Sequence, residues 1–277
     1  MSPQIFAPPE ILKPVIKYFW ALDNPIDGPP AMVSAFPDGC PGIIMVQSEA
    51  SATCDNLSRK LPDIYLHGQT LSPSRISYQG KFSMMGVSFQ PHALRSVFGI
   101  DANAFTQIGF DLNIVQDKKH GNITEQIVNE CSIPGKIKIL SDFLMHRHQT
   151  NNRQTEETIK YAIAQIMRSK GSLSLKELQQ KLQISKRSLE RKFNQSIGIS
   201  PKLFSRICRF QESLNQLRAN SYNKLSDIAY ENNYADQSHL IRAFKEFTGL
   251  SPLEFKRQSS ETIDNAMIDN VSKSTKY

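Results

Sequence analysis

Two sets of polar, mostly basic side chains lie near the C-terminus, and four positions of the first set recur 51 residues later in the second. The first set is Lys186, Arg187, Ser188, Glu190, Arg191 and Lys192, and the second is Gln237, Ser238, His239, Arg242 and Lys245. Arg can form two hydrogen bonds with guanine and Gln two with adenine, while Glu can accept one from the amino group of cytosine. The Lys side chains suit phosphates, which position a protein on a duplex without reading its sequence. These residue types are therefore those of a nucleic-acid-binding surface.

Each set lies on a helix that occurs in two copies. The segments SKRSLERKFNQSIGISPKLF and DQSHLIRAFKEFTGLSPLEF align without a gap and share a Leu, an Arg, a Phe, a Gly, a Ser and a Pro. Leu189 and Phe193 are four residues apart, as are Leu240 and Phe244, so each pair lies on one face of a helix while the Arg between them points elsewhere. The shared Gly ends each helix, and the Ser-Pro pair begins the next one.

A short amphipathic helix and a turn precede each copy, in LSLKELQQKLQIS and in KLSDIAYENNYAD. Each unit is therefore predicted to be a helix-turn-helix, in which the first helix braces the second against a major groove. Between the units, apolar residues at helical spacing predict one long helix over Pro201 to Asn220. At a rise of about 1.5 Å per residue, a helix of about 18 residues within this segment is near 27 Å long, the right order for holding two helices one turn of DNA apart.

The whole positive charge excess of the chain lies on the repeats. Residues 151–258 contain 19 Lys and Arg against 10 Asp and Glu, whereas the first 150 residues contain 12 against 13. We expect the basic segment to bind a polyanion, and its binding to fall steeply with salt concentration. The alternative is a solvated basic surface that serves only solubility.

At these residues the chain resembles the AraC/XylS family of bacterial transcription regulators. The resemblance covers residues 155–257 and is most specific where ten residues of the second unit match the family pattern, namely Ile228, Ala229, Tyr234, Asp236, Ser238, Arg242, Phe244, Lys245, Gly249 and Pro252. It implies two helix-turn-helix units that contact double-stranded DNA through the exposed faces of their second helices. It also implies RNA polymerase as a partner, and it leaves a homodimer open.

Two residues depart from the family pattern. Asn233 stands where the family usually has Gly, and Asn tolerates the left-handed conformation that a turn Gly adopts. Gln179 stands where Ala is usual, so we expect the two helices of the first unit to dock less tightly. For Arg191 and Arg242, the alternative to base contact is a salt bridge with a neighbouring acid such as Glu190 or Glu246.

The first 150 residues have a different pattern. Short apolar runs broken by Pro and Gly predict β-strands at AMVSAFPDG, PGIIMVQ, DIYLHGQ and MMGVSFQP, and helical patterns occur at Pro9 to Trp20, His92 to Phe98 and Asn122 to Met145. The fold class is therefore α+β, with a mostly β N-terminal domain followed by an all-α double helix-turn-helix domain. Residues 37–44, 66–69 and 86–91 look like the cupin-like sensing domain of a subgroup of these regulators.

A cup-shaped β domain can hold a small effector among aromatic and polar side chains. The candidates for such a site are Trp20, Phe36, Tyr65, His67, Gln69 and Tyr78, and the alternative for them is ordinary core. His67, His92, Cys40 and Asp38 are the only residues here with catalytic chemistry. None falls in a metal-ligand spacing, and the four cysteines show no paired spacing, so we predict no catalytic residue, metal or cofactor.

The predicted organisation is an N-terminal sensing or dimerising domain over 1–147, a linker over 148–154, the DNA-binding domain over 155–258 and a disordered tail over 259–277. No signal peptide or run of 18 apolar residues is present, so we expect a cytoplasmic protein with reduced thiols and no membrane partner. A second hypothesis is an enzyme that its basic domain localises to DNA, such as an alkyl-transfer repair protein. A third is a module that binds protein through its helical repeats, and its binding would depend little on salt concentration.

Overall fold

The structure is a computed structural model that describes residues 3–24, 31–48, 53–54, 62–78, 80–115, 121–151, 153–258 and 262–264. The N-terminal part contains two sheets. The larger has six antiparallel strands, in the order β1 (Gln4–Phe6), β2 (Ile16–Asn24), β8 (Phe82–Phe89), β4 (Gly42–Ser48), β6 (Ile64–His67) and β9 (Gly109–Asp111). The smaller has four strands, in the order β10 (Thr262–Asp264), β3 (Ala31–Ala35), β7 (Ser74–Tyr78) and β5 (Thr53–Cys54).

The two faces of the larger sheet pack against different partners. Side chains alternate along each strand, so neighbours on one strand point to opposite faces. Phe19, Val87 and Leu66 lie on the face that packs against helices. Trp20 and Met84 lie on the other face, in a cluster that includes Tyr78 of the smaller sheet. Because both faces are buried, the strands carry nearly continuous apolar runs rather than a clear alternation.

The four predicted strand segments all contain strands, but the prediction of a helix over Pro9 to Trp20 is wrong. Only the single turn Glu10–Leu12 is helical there, and β2 begins at Ile16. β2 buries both of its faces, so its sequence IKYFWAL lacks the period of two that marks a half-buried strand. The other two helical patterns correspond to α1 (Ala93–Phe98), α2 (Ile123–Asn129) and α3 (Ile133–Thr150).

Between residues 153 and 258 all of the regular secondary structure is helical. The helices are α4 (Glu157–Arg168), α5 (Leu175–Leu182), α6 (Lys186–Ile197), α7 (Pro201–Ala219), α8 (Leu225–Glu231), α9 (Gln237–Thr248) and α10 (Pro252–Gln258). They surround a second apolar core, separate from the core between the large sheet and α1 to α3. The fold is therefore α+β, with a β-rich N-terminal domain followed by an all-α domain. Within the described residues, no helix is both long and apolar enough to span a bilayer.

Two boundaries differ from the sequence-based prediction. α3 continues to Thr150, so the predicted linker over 148–154 begins inside a helix. Thr262–Asp264, in the segment predicted to be a disordered tail, form β10 and pair in parallel with β3. The rest of that segment lies outside the described residues.

The two domains contact each other at several places. α6 packs against α1 and against the short 3-10 turn Ala102–Phe105. On the other side, Phe36 follows β3 and meets Phe255 of α10 edge to face, with ring centroids 5.6 Å apart. Gln211 of α7 donates a hydrogen bond of 2.7 Å to the carbonyl of Pro37. The N-terminal domain therefore contacts both the first helix-turn-helix unit and the helix that follows the second.

Candidate nucleic-acid interface

The candidate reading helices, α6 and α9, begin and end in the same way. The side chains of Ser185 and Asp236 accept hydrogen bonds from the third backbone N–H of each helix, at 3.2 Å and 2.8 Å. Gly198 and Gly249 end the helices with φ of 92° and 76°, in the left-handed region that favours Gly. The repeated sequence thus produces two equivalent helices of 12 residues each.

The apolar stripe of each reading helix packs against α7. Phe193 of α6 meets Phe204 of α7 with ring centroids 5.6 Å apart, and Phe244 of α9 meets Phe210 at 5.4 Å, both edge to face. All four rings are buried, and such aromatic pairs contribute about 0.5 to 1.5 kcal/mol beyond the area that they bury. α7 therefore holds both reading helices through equivalent side chains.

Arg209 of α7 joins the two helix-turn-helix units. Its guanidinium donates to the carbonyl of Gly171, before α5, at 3.0 Å and to the carbonyl of Asn233, before α9, at 3.1 Å. It also lies 5.7 Å from the centre of the Tyr234 ring. The fork of the guanidinium fixes both directions at once, which a Lys ammonium could not do. Sequence reasoning missed this residue, because one Arg on a basic helix carries no distinguishing signal.

The polar faces of both reading helices are accessible. Nine of the eleven predicted contact residues are exposed, whereas Ser188 and Lys192 are half-buried. Arg191 and Arg242 have no ion pair among the residues that the structure describes, and Glu246 pairs with Arg206 of α7 instead. Among the described residues, neither Arg191 nor Arg242 therefore forms the salt bridge with Glu190 or Glu246 that was the alternative to base contact.

Two of the predicted contact residues have acidic partners. Lys192 pairs with Glu156, which lies at the start of α4. Lys186 and Glu190 approach each other at 4.0 Å, an exposed pair of the kind that contributes little. Lys192 must therefore leave Glu156 before it can contact a phosphate.

The two departures from the family pattern have different surroundings. Asn233 adopts φ of 56°, the left-handed conformation expected of a residue at a Gly position. Gln179 is half-buried on α5, and α5 packs less extensively against α6 than α8 does against α9. Looser docking of the first unit stays a prediction from the longer side chain of Gln179.

The candidate effector residues separate into two groups. Trp20, Tyr65 and His67 share one face of the large sheet, the face that also meets Tyr78 across the sheets. The Trp20 indole covers Gly86, since a Cβ added there would lie 2.5 Å from the ring. His67 covers Gly42 in the same way, at 2.7 Å. The rings of Trp20 and His67 therefore lie over glycines on the two middle strands of the sheet, where a larger residue would collide with them.

Phe36 and Gln69 lie elsewhere. Phe36 belongs to the core of the helical domain, and Gln69 donates a hydrogen bond of 3.0 Å to the carbonyl of Gly39 in the loop that contacts α7. The grouping of Phe36 with the sheet aromatics was wrong, because the chain turns out of the sheet after Ala35. The Oε1 atom of Gln69 is buried without a hydrogen-bond partner.

The residues with catalytic chemistry form no cluster of metal ligands within the described part of the chain. The ring of His67 bonds to the carbonyl of Gly68 at 3.0 Å, and burial lowers its pKa from the ordinary value. Burial raises the pKa of the Cys208 thiol to about 12, which keeps it protonated and a weak nucleophile.

Two family models match the chain. Residues 178–258 match a helix-turn-helix domain, and residues 4–110 match a domain of unknown function, DUF6597. The helix-turn-helix model and the paired units on one long helix define the class of this protein, a helix-turn-helix DNA-binding protein. The repeats of this domain are similar to those of the AraC/XylS family of DNA-binding transcription regulators.

Solved structures with a similar fold include ToxT from Vibrio cholerae, with 12% identity over 93% of this chain and 98% of that one and a TM-score of 0.49. ToxT from Vibrio cholerae O395 bound to (E)-4-(8-methylnaphthalen-1-yl)but-3-enoic acid has 12% identity over 93% and 99%, with a TM-score of 0.48. The C-terminal domain of AraT, a response regulator from Geobacillus stearothermophilus, has 24% identity over 38% and 88%, with a TM-score of 0.35. No curated protein matches the chain in sequence.

Proposed function

We propose that this regulator binds double-stranded DNA sequence-specifically by inserting α6 and α9 into successive major grooves. The observation that carries the proposal is the equivalent attachment of the two helices to α7, through Phe193 and Phe244, with their polar faces exposed. At about 1.5 Å per residue α7 is near 28 Å long, and successive grooves on one side of the duplex are about 34 Å apart.

Within this proposal the contact residues have separate roles. Arg187, Arg191 and Arg242 suit guanine, Gln237 suits adenine, and Glu190 can accept from cytosine. Ser188, Ser238 and His239 add hydrogen bonds whose base partners are less restricted. Lys186 and Lys245 contact phosphates, and Lys192 does so after it leaves Glu156.

Selection of bound sequences from random DNA with the purified chain tests the proposal. The enriched sequences should contain two conserved half-sites with centres about 10 base pairs apart, and the affinity should fall steeply with salt. Enrichment of a single half-site, or binding that does not depend on salt, would contradict it.

We further propose that the N-terminal domain binds a small effector on the sheet face that carries Trp20, Tyr65 and His67, opposite Tyr78. Trp20 and Tyr65 place two large, buried aromatic rings on this face, and a ring nitrogen of His67 lies near Gly42. Trp20 is the only tryptophan of the chain, so its fluorescence reports on this face alone. A metabolite that binds there should change both the Trp20 emission and the affinity for the selected DNA. A set of metabolites that changes neither would leave the domain without an effector role.

RNA polymerase and a second copy of the chain are further proposed partners, and the cytoplasm is the proposed location. Light scattering of the purified chain, with and without the selected DNA, measures the oligomeric state. Co-purification with RNA polymerase on that DNA tests the other partner.

A further inference from the structure

The C-terminal ends of both reading helices are bonded to the N-terminal domain. The hydroxyl of Thr106 donates to the carbonyl of Gly198, at the end of α6, at 2.9 Å. The guanidinium of Arg75 donates to the carbonyl of Thr248, at the end of α9, at 3.2 Å. We call these two contacts the helix-end bonds. Gly198 and Gly249 occupy equivalent positions in the repeat, so the two bonds hold the two reading helices at nearly the same point.

The last carbonyls of a helix lack partners within the helix and carry partial negative charge. A hydroxyl or guanidinium donor from another domain therefore binds there favourably. The contact at α6 is especially close, since a Cβ added at Gly198 would lie 2.6 Å from the Thr106 hydroxyl and 2.9 Å from the carbonyl of Ala102. The end of α6 consequently cannot move without moving the N-terminal domain or breaking the bond.

The donors of the helix-end bonds are attached closely to the proposed effector face. Arg75 lies on β7, three residues before Tyr78. Thr106 is followed by Gln107, whose backbone N–H donates to the carbonyl of Gln69 at 2.8 Å, two residues beyond His67. A displacement at the end of β6 or along β7 is therefore transmitted to one of the two donors.

We propose that Thr106 and Arg75 are positioning residues for DNA recognition, through which the N-terminal domain sets the relative placement of α6 and α9. The inference rests on the proposed function, because it concerns the distance between two half-sites read by the two helices. α7 and the neighbouring helices of the helical domain hold the inner sides of the reading helices, and the helix-end bonds hold their ends. The N-terminal domain thus controls how strictly the chain requires one half-site spacing.

The test compares spacing tolerance. Using the DNA selected by the full-length chain, one base pair is inserted between the half-sites, and the affinity lost on insertion is measured for the wild type and for the double variant Thr106→Val with Arg75→Met. Because one hydrogen bond contributes roughly fivefold to an equilibrium, we expect the loss in the double variant to be at least about fivefold smaller. The double variant Thr106→Ser with Arg75→Lys retains both hydrogen-bond donors, so it should regain most of the affinity loss that the wild type shows on insertion.

Matched variants separate this effect from changes in charge or side-chain shape. Lys138→Met removes one positive charge from the exposed side of α3, and Thr150→Val removes a hydroxyl that bonds within α3, to the carbonyl of His146. Both should leave the spacing dependence unchanged. An equal loss of affinity in the double variant and the wild type overturns the inference. Failure of the wild type to prefer paired half-sites would instead overturn the proposed function.

Hydrogen exchange of the free chain gives a second measurement that does not depend on DNA. Thr106→Val should raise exchange at the end of α6 and leave the end of α9 unchanged, and Arg75→Met should do the reverse. If each single variant leaves exchange at its own helix end unchanged, the helix-end bonds do not hold the reading helices, and the inference fails. Exchange that rises throughout both domains in either variant would assign these residues a general structural role and would also overturn it.

Discussion

Arg242 and Lys245 lie on the same exposed side of α9, yet their chemistry predicts different losses of DNA-binding affinity when each is replaced. Replacing Arg242 by Ala should cost about 1 to 3 kcal/mol of binding and relax the preference at one base pair. Replacing Lys245 by Ala should weaken all sequences alike and reduce the salt slope by about 1. Titrations against single-base variants of the selected DNA, at several salt concentrations, measure both effects. A uniform loss in the Arg242 variant would reassign that residue to the phosphates.

In the proposed complex with DNA, Glu156 competes with a phosphate for Lys192. The variant Glu156→Gln breaks this ion pair without a large change in shape, so Lys192 becomes available to a phosphate. We expect tighter binding at low salt and a salt slope increased by up to about 1. Glu157→Gln is the matched control. It removes the same charge one residue further along the chain, but Glu157 pairs with Lys160 and not with Lys192. Equal effects of the two variants would show a general charge effect only.

His92 should make the protein less stable in mild acid. Burial and the nearby charge of Lys160 lower its pKa from 6.5 to about 4. Between these values the unfolded chain binds a proton and the folded chain does not, so the free energy of unfolding decreases as the pH falls through this window. The slope is at most about 1.4 kcal/mol per pH unit. Burial lowers the pKa of His67 too, so the wild type should lose more stability than His92 alone explains.

The variant His92→Gln isolates the contribution of His92. Urea unfolding of the wild type and the variant at pH 5 and pH 7 should give a smaller pH dependence for the variant. The same pH dependence in both proteins would show that His92 titrates normally in the folded chain.

At the scale of elements, the turn before α5 depends on a glycine. Gly171 has φ of 78°, and a Cβ added there would lie 2.0 Å from the carbonyl oxygen of Ser205 on α7. Gly171→Ala should therefore lower the free energy of unfolding by about 3 kcal/mol or more, combining backbone strain with a backbone collision. Gly121→Ala is the control, because Gly121 has φ of 59° and, among the residues that the structure describes, no atom beyond its chain neighbours lies within 4 Å of the added Cβ.

Backbone strain alone should limit the loss in Gly121→Ala to about 1 to 2 kcal/mol. Denaturant unfolding followed by circular dichroism compares the two variants. Gly171→Ala should also weaken DNA binding, since the same turn carries the carbonyl that Arg209 holds. Similar losses of stability in both variants would mean that α4 and α7 separate easily enough to accommodate the methyl group.

The helical elements were the most predictable part of the chain. α6, α7 and α9 follow from local signals alone, the apolar spacing, the capping side chains and the terminal Gly residues. β2 could not be recognised, because burial on both faces removes the alternation that distinguishes a strand. The exposed faces of α6 and α9 could likewise be predicted from one helix at a time. The pairing of Lys192 with Glu156 could not, since it joins residues of different helices.

At the scale of the whole molecule, the sequence predicted two unlike halves but not their contacts. The charge asymmetry and the repeats are properties of single segments. The helix-end bonds join residues 92 and 173 positions apart, and the packing of Phe36 on Phe255 spans a still longer separation. No periodicity or spacing encodes such pairs, which depend on how the finished domains fit together. The same reason explains why Phe36 was grouped with the wrong neighbours.

After α10 the chain returns to the smaller sheet of the N-terminal domain, and this return affects how the two domains separate. β10 adds to the edge of the smaller sheet beside β3. The backbone therefore connects the helical domain to the N-terminal domain at both ends of the helical domain. If a site-specific protease site is inserted after Arg153 and cut, we expect the two fragments to co-elute on gel filtration. Stopping the chain after Gln258 should let the cut fragments separate more readily. If the fragments of the full-length chain separate at once although β10 is present, cleavage after Arg153 alone is enough to release the DNA-binding domain.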